Sequence, residues 1–164
     1  MSKLKFLLFF LPLLILISCS KDYTEEEVKQ IVKDADKKLE KLAGQKYEWA
    51  SAKAYSTVMA YYTTPDIIFI NENLKYRTTA EAFNLYYFKD GNLIHFIGKK
   101  MAYIYEKNKK SRKELTRLTM YLEQDGDVIS YEKIINTERV SLKDSDLEEV
   151  LNHAKELYEL VGDH

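Results

Sequence analysis

The segment Asn84-Leu-Tyr-Tyr-Phe-Lys-Asp-Gly-Asn-Leu-Ile-His-Phe-Ile97 decides the fold class that we predict for this chain. Its two halves are rich in aromatic and β-branched residues, which strands favour. They flank Asp90-Gly91, a dipeptide that indicates a tight hairpin turn because glycine tolerates the positive φ that such a turn requires. Gly98 then indicates a bulge. The segment therefore predicts an antiparallel β-hairpin.

The same pattern recurs on both sides of this hairpin. Downstream, Asp125-Gly126 separates two further strand-like runs, and upstream the residues 63–66 (Thr-Thr-Pro-Asp) form a turn signal between two more. The upstream pair is followed by the polar residues Asn71-Glu72-Asn73. Short connections favour pairing between sequence neighbours, so we predict a single antiparallel meander sheet of about six strands. The flanking runs are 53–62, 67–70, 115–123 and 128–135.

Amphipathic helices are predicted before and after the strands. Thr24 and Glu27 have the spacing of a capping box, as do Ser145 and Glu148. After each pair, apolar residues recur at helical spacing along one face. We expect both helices to cover one face of the sheet, giving a single α+β domain. The apolar faces are Val28, Ile31, Val32, Ala35, Leu39 and Leu42, and Leu147, Val150, Leu151, Ala154, Leu157, Tyr158 and Val161.

The first nineteen residues have the order of parts of a secretory signal. A basic start, Met1-Ser-Lys-Leu-Lys5, precedes an apolar run that ends at Ile17. This run is about twelve residues long, whereas a transmembrane helix needs about twenty. We therefore interpret it as a cleaved signal. The ending Leu16-Ile17-Ser18-Cys19 resembles the lipobox of bacterial lipoproteins, in which cleavage precedes the cysteine.

That resemblance implies a signal peptide at 1–18, an acylated tether at 19–23 and a domain at 24–164. Cys19 would carry the acyl chains, and two or more chains make membrane attachment effectively permanent. The alternative is an ordinary secretory signal with a free Cys19. The resemblance implies a lipid-anchored protein of the bacterial cell envelope, at the outer membrane. Residues 19–23 do not decide between the periplasmic face and the cell surface.

A second resemblance covers roughly 52–160. Tyr86-Tyr-Phe-Lys-Asp-Gly-Asn-Leu-Ile94 and Met120-Tyr-Leu-Glu-Gln-Asp-Gly-Asp-Val-Ile129, followed by a capped helix, resemble small uncharacterised envelope lipoproteins with two Asp-Gly β-hairpins. The shared residues are turn and core positions. The resemblance therefore implies a fold and carries no activity with it.

Composition limits the classes of partner. The chain has 25 basic and 26 acidic residues; Lys3 and Lys5 leave with the signal, so 23 basic and 26 acidic remain, a net charge of −3. This balance lacks the excess of basic residues that is typical of nucleic-acid-binding proteins. Cys19 is the chain's one cysteine, so no disulfide is available and stability would rest on the core.

Catalytic patterns are missing from the sequence. Its three histidines, His95, His153 and His164, have no metal-ligand spacing, and we interpret His95 and His153 as half-buried structural residues. No Gly-x-Ser-x-Gly, phosphate loop or Gly-x-Gly-x-x-Gly is present. We therefore predict no catalytic residue, no metal, no cofactor and no enzymatic activity.

Two features suggest contact with a partner. The basic segment Lys107, Lys109, Lys110, Arg112 and Lys113 could meet anionic headgroups or an acidic partner, although a solvated hairpin loop is the favoured explanation. Tyrosines in the strands could form a recognition face, or could pair across strands beneath the helices. Adjacent tyrosines should split between the two faces. The tyrosines are Tyr61, Tyr62, Tyr86, Tyr87, Tyr103, Tyr105 and Tyr121.

Three functions follow in order of preference. The first is a non-enzymatic lipoprotein that binds an unidentified envelope protein, as an inhibitor, immunity or assembly factor. The second is a binder of an apolar or glycan ligand between helix and sheet, and the third is an enzyme. A deep pocket of several hundred Å³ would favour the second function over the first.

Overall fold

The computed structural model describes residues 22–77, 79–105 and 111–162. They form an α+β domain in which eight antiparallel strands follow one another across one sheet, in the order β1 to β8. Neither described helix is long and apolar enough to cross a membrane. The elements are α1 Glu25–Leu39, β1 Gln45–Ala50, β2 Tyr55–Thr63, β3 Asp66–Tyr76, β4 Ala80–Lys89, β5 Asn92–Ile104, β6 Arg112–Leu122, β7 Val128–Ile135, β8 Glu138–Arg139 and α2 Asp144–Gly162.

The meander was predicted correctly, but two strands were missed. β1 and the two-residue β8 lie at the edges of the sheet, where fewer apolar residues mark a strand. The third strand is also longer than predicted. The polar residues Asn71, Glu72 and Asn73 lie within β3, which continues to Tyr76.

The two helices lie on opposite faces of the sheet, so the expectation that both cover one face is wrong. α1 packs on the face that carries Tyr87, and α2 packs on the face that carries Tyr86. We call these the α1 face and the α2 face. The split between Tyr86 and Tyr87 follows the strand period of two, as predicted. A sheet with apolar residues on both faces needs a cover on each side.

Both helices cover the same end of the sheet. At this end, which we call the hairpin end, lie the turns that join β2 to β3, β4 to β5, and β6 to β7. Most of the apolar residues that pack with each helix lie in the halves of the strands next to these turns. The opposite end of the sheet is largely uncovered by helices, although Trp49 of β1 still contacts His153 of α2 there.

Each turn at the hairpin end is followed by a bulge with an isoleucine. Ile68, Ile94 and Ile129 are the extra residues that face no partner where the register shifts. All three pack with α1. A bulge places two successive side chains on one face, so each hairpin gains an apolar side chain beneath α1. The bulge in β5 is therefore at Ile94 and not at Gly98, where we predicted it.

The predicted start of α1 is confirmed. Thr24 Oγ1 accepts from the Glu27 backbone N–H at 3.3 Å, and Glu27 Oε2 accepts from the Thr24 backbone N–H at 2.9 Å. This capping box satisfies donors that a helix leaves open at its first turn. At the other end, the helix finishes at Leu39, so Leu42 lies outside it.

Candidate functional site

A cleft of about 580 Å³ lies on the α2 face, between the first half of α2 and the uncovered end of the sheet. This volume is in the range of small-molecule sites. The exposed surface of the walls is mostly apolar, although many polar and charged side chains also line the cleft. They include Trp49 from β1, Leu74 from β3, Phe96 from β5, Leu118 from β6 and Val150 from α2.

Small side chains in the sheet explain why the cleft is open. Ala82 and Thr116 lie in one row of cross-strand neighbours on its floor, and Gly98 lies in the next row. At Gly98 a Cβ would stand only 2.7 Å from Phe96 Cζ, so glycine lets that ring fold over the strand. Nearer the hairpin end, Tyr86 and Met120 fill the same face and leave no such space.

The inner wall of the cleft holds a polar cluster around Glu72. This side chain is fully buried, and its Oε2 accepts from Asn84 Nδ2 at 3.0 Å and from the Tyr86 hydroxyl at 3.0 Å. His153 of α2 approaches from above, with Nε2 at 2.8 Å from Oε1 and 3.1 Å from Oε2. Because a carboxylate only accepts, Nε2 carries the proton. The edge of the Trp49 ring packs against His153, with centroids 4.7 Å apart.

The two buried groups favour each other's charged forms. Burial alone would raise the pKa of Glu72, but the hydrogen bond and positive charge of His153 outweigh it and lower that pKa below its ordinary value. Burial alone would lower the pKa of His153, but Glu72 raises it above its ordinary value. The pair is therefore ionic over the pH range between these values. Burial, followed by the charge of Glu72, also raises the pKa of Tyr86 and keeps its hydroxyl a donor.

Polar contacts fix α2 to the sheet at three points. Near its start, Asp146 Oδ2 lies 2.6 Å from the buried Lys133 Nζ of β7 and accepts from the Lys143 backbone N–H at 2.9 Å. The middle is held by the Glu72–His153 pair. At its end, the Tyr62 hydroxyl donates to the Val161 carbonyl at 3.0 Å. The position of the cleft's upper wall is thus set by groups from β2, β3 and β7.

The first turn of α2 differs from the prediction. Asp146, and not the predicted pair Ser145 and Glu148, accepts the N–H of Lys143 just before the helix. The acceptor that closes this turn also pairs with Lys133, so the start of the helix and its attachment to β7 depend on one carboxylate.

Most of the predicted site residues lie outside the part of the chain that the structure describes. Cys19, Lys107, Lys109 and Lys110 lie outside the described residues. Arg112 and Lys113 begin β6, and Lys113 Nζ stands 5.5 Å from the centroid of the Tyr103 ring. The predicted lipidation of Cys19 and the role of the basic segment remain predictions.

The tyrosines do not form one recognition face. Tyr61, Tyr87 and Tyr121 pack beneath α1, whereas Tyr62 and Tyr86 pack beneath α2. Pairing beneath the helices therefore accounts for these five rings better than a single recognition surface does.

The two described histidines have different surroundings. His95 lies on the α1 face, where its Nδ1 is 2.8 Å from the Met120 carbonyl and its ring stacks on Tyr121 at 4.3 Å between centroids. Burial lowers its pKa, so it is a neutral packed ring that donates to the carbonyl. His153 lines the cleft. Within the described residues, no group of three His, Cys, Asp or Glu side chains comes together as a metal site would require.

Sequence reasoning missed Glu72, the centre of the polar cluster. A signal was present: Glu72 lies between Ile70 and Leu74, and all three point to the same face of β3. A carboxylate at an apolar position of a strand indicates a buried partner. That partner, His153, could not be identified from local spacing.

Comparisons with known proteins identify no relative. No family model matches the chain, and neither curated proteins nor solved structures give a significant match.

Proposed function

We propose that this protein is a non-enzymatic, lipid-anchored envelope protein that binds a small amphipathic molecule in the cleft on the α2 face. The observation that carries the proposal is the cleft itself, about 580 Å³ between helix and sheet. It is the feature that favours ligand binding over the protein-binding function that we first preferred.

The walls support an apolar body for the ligand. Leu74, Phe96, Leu118 and Val150 offer aliphatic and aromatic surface, and burying such surface contributes about 25 cal/mol per Å². The Trp49 ring at one side adds a large apolar wall that its contact with His153 holds in place. Several polar groups of the lining, among them Lys133 and His153, are fixed by partners within the fold, as is usual where polar groups set the orientation of a ligand.

The polar cluster supports binding more than catalysis. The donors of Asn84, Tyr86 and His153 are all directed at the Glu72 carboxylate, so the group is already satisfied and not poised to take a proton from a ligand. The Glu72–His153 pair instead holds the upper wall in place and thereby preorganises the cleft.

The proposed anchor sets an orientation. Tyr23 is buried, and Gln124 of the β6–β7 turn donates to its hydroxyl at 3.0 Å, so the chain enters the domain at the hairpin end. An extended chain spans at most about 3.6 Å per residue, which keeps Tyr23 within about 14 Å of an acylated Cys19. The hairpin end would then face the membrane, and the cleft would lie towards the far end of the domain.

A matched pair of substitutions tests binding in the cleft. Thr116→Phe places a ring on the cleft floor, whereas Thr57→Phe places the same ring on the α1 face, at an uncovered part of β2. We expect T116F to weaken the binding of decyl maltoside at least tenfold, measured by calorimetry below the critical micelle concentration. T57F should bind like wild type. Equal affinities in all three proteins would refute the cleft as the site.

Membrane attachment has its own test. Cys19→Ala should abolish acylation and release the protein from the membrane fraction, whereas Ser20→Ala should change neither. Palmitate labelling in a bacterial host measures the first effect. Labelling of the C19A protein would contradict the anchor without bearing on the cleft.

Protein binding is a second candidate, favoured by the uncovered end of the α1 face. Phe83 and Leu115 are exposed there, at 42% and 39%. Lys99 and Arg117 are direct cross-strand neighbours, and like charges in such positions destabilise a sheet. An acidic partner would relieve that repulsion.

Charge reversal tests this second candidate. A pull-down from the native envelope should lose its partner with Lys99→Glu combined with Arg117→Glu. The same reversal at Lys37 and Lys41, near the end of α1, should leave it bound. An identical set of captured proteins in both cases would exclude this face.

A further inference from the structure

Charged groups of opposite sign stand on the two sides of the cleft. Glu149 projects from α2, on the helix side. Lys100 projects from β5, on the sheet side, in the same cross-strand row as Ala82 and Thr116. A ligand in the cleft would therefore pass between a carboxylate and an ammonium group.

Tyr76 brings these two charges close together without neutralising them. Lys100 Nζ lies 4.6 Å from the centroid of the Tyr76 ring. Burial, followed by the negative charge of Glu149, raises the pKa of Tyr76 to about 12, so its hydroxyl remains protonated beside that carboxylate. Lys100 thus lies over the face of the Tyr76 ring, and Glu149 lies near its hydroxyl.

These charges differ from the ion-paired groups of the cleft, whereas Lys53 and Lys99, which also line it, form no ion pair either in the described residues. Lys133 and Asp146 form an ion pair at 2.6 Å, and His153 pairs with Glu72 at 2.8 Å. In the described part of the chain, neither Lys100 nor Glu149 forms an ion pair, with each other or with another residue. Neither charge is therefore neutralised by an opposite charge, although the Tyr76 hydroxyl is within hydrogen-bonding reach of Glu149.

We infer that the cleft is built for a zwitterionic amphiphile, whose apolar chain lies along the floor and whose head group places its cationic part at Glu149 and its anionic part at Lys100. This inference rests on the proposed function. A purely anionic head group would meet the Glu149 carboxylate, and a purely cationic one would meet the Lys100 ammonium. A head group with both charges pairs with each side of the cleft. A head group with one charge is repelled by the cleft residue of the same sign, and this repulsion gives the site its specificity.

Head groups on one common chain test the inference. The probes are decylphosphocholine, decyltrimethylammonium, decyl sulfate and decyl maltoside, each titrated below its critical micelle concentration, with affinity measured by calorimetry and binding placed by amide NMR shifts. We expect decylphosphocholine to bind at least tenfold more tightly than either singly charged probe. Shifts should concentrate on the cleft residues.

Two substitutions should change the preference in opposite directions. Lys100→Met should weaken decylphosphocholine and strengthen decyltrimethylammonium, whereas Glu149→Gln should weaken decylphosphocholine and strengthen decyl sulfate. The affinity for uncharged decyl maltoside should change less than twofold in both. Lys75→Met on the α1 face and Glu148→Gln on α2 serve as matched controls and should leave all four affinities unchanged.

The outcomes separate the two proposals. Failure of all four probes to bind would overturn the proposed function and, with it, this inference. Equal binding of all head groups, with no effect of K100M or E149Q, would overturn the zwitterion inference while leaving an amphiphile cleft. A preference for one singly charged probe would also overturn it.

Discussion

Glu72 and His153 are 81 residues apart in the sequence and 2.8 Å apart in the structure, between Oε1 and Nε2. One side chain comes from the middle of the sheet and the other from the middle of α2. Glu72 is fully buried, and the side chain of His153 is 15% exposed, so their interaction is little screened by water. This contact sets the height of α2 above the sheet and hence the width of the cleft.

Removing one member of this pair should be costly. His153→Gln leaves a buried carboxylate without its cation, and we expect a loss of about 3 kcal/mol in the free energy of unfolding at pH 6. Glu72→Gln should cost less, because the amide still accepts from Tyr86 and His153 can lose its proton. Urea unfolding of both single variants and the double variant measures the coupling. Strictly additive losses would show that the two side chains do not interact.

Because of this pair, the free energy of unfolding should fall both when the pH is raised and when it is lowered. The pKa of His153 is raised in the fold. The contribution of His153 to the free energy of unfolding is therefore complete below pH 6.5, its ordinary pKa, and is lost as the pH rises through the pKa of the folded state. The pKa of Glu72 is lowered, so its contribution is complete above 4.5 and is lost as pH falls through the folded value.

The difference in stability between wild type and the E72Q/H153Q variant should therefore be greatest between pH 4.5 and 6.5. It should decline above and below that window. Thermal melts of both proteins from pH 3 to 9 measure it. A difference that is constant across the range would rule out an ion pair in the fold.

Gly91 should be required at the turn between β4 and β5. Its φ is 83°, in the region that favours glycine, while a Cβ there would meet nothing closer than 3.6 Å. Gly91→Ala should therefore cost about 1 kcal/mol through backbone strain alone. Gly162→Ala, at the end of α2, is the control, because a Cβ there would lie 3.8 Å from Ile67. Equal melting temperatures for the two variants would count against the positive-φ turn.

Asp146 should matter far more than an exposed acid of the same helix. Asp146→Ala leaves Lys133, whose side chain is 9% exposed, without its anion, and we expect a loss of about 3 kcal/mol. Glu159 also forms an ion pair, at 3.9 Å from Lys155, but both side chains are mostly exposed. Glu159→Ala should cost no more than about 0.5 kcal/mol. Similar unfolding midpoints in urea would contradict this distinction.

Gly98 should be required because of the ring that covers it. Gly98→Ala places a Cβ 2.7 Å from Phe96 Cζ, and displacing that packed ring should cost about 1–3 kcal/mol. In a Phe96→Leu background, which lacks the clashing atom, the same substitution should cost clearly less. A cost that does not depend on residue 96 would place the strain elsewhere in the strand.

Local patterns accounted for much of the fold. Asp90-Gly91 and Asp125-Gly126 predicted two hairpins, and Gly91 and Gly126 do have the positive φ that the turns require. The capping box at Thr24 was correct as well. These features depend on residues within a few positions of one another, so they can be predicted without knowledge of distant contacts.

The faces of the sheet were harder to predict. A strand with apolar residues on both sides tells which residues are buried but not which helix buries them. Ile68, Ile94 and Ile129 shift the alternation at three places, and each shift depends on the register with the preceding strand. The choice of opposite faces for α1 and α2 thus depends on how strands pair, which no single segment encodes.

The sequence by itself determined both helices, six of the eight strands, the two Asp-Gly turns and the antiparallel meander, because each depends on the conformational preferences of neighbouring residues. Only the tertiary structure decided where the cleft lies and what it contains. Along the chain, Lys100 and Glu149 are ordinary charged residues, and Glu72 is marked only by its apolar neighbours. They become a site because the sheet and α2 bring them together. The physical reason is that a charge acquires its effect from burial and from its partners, and both are properties of the folded molecule.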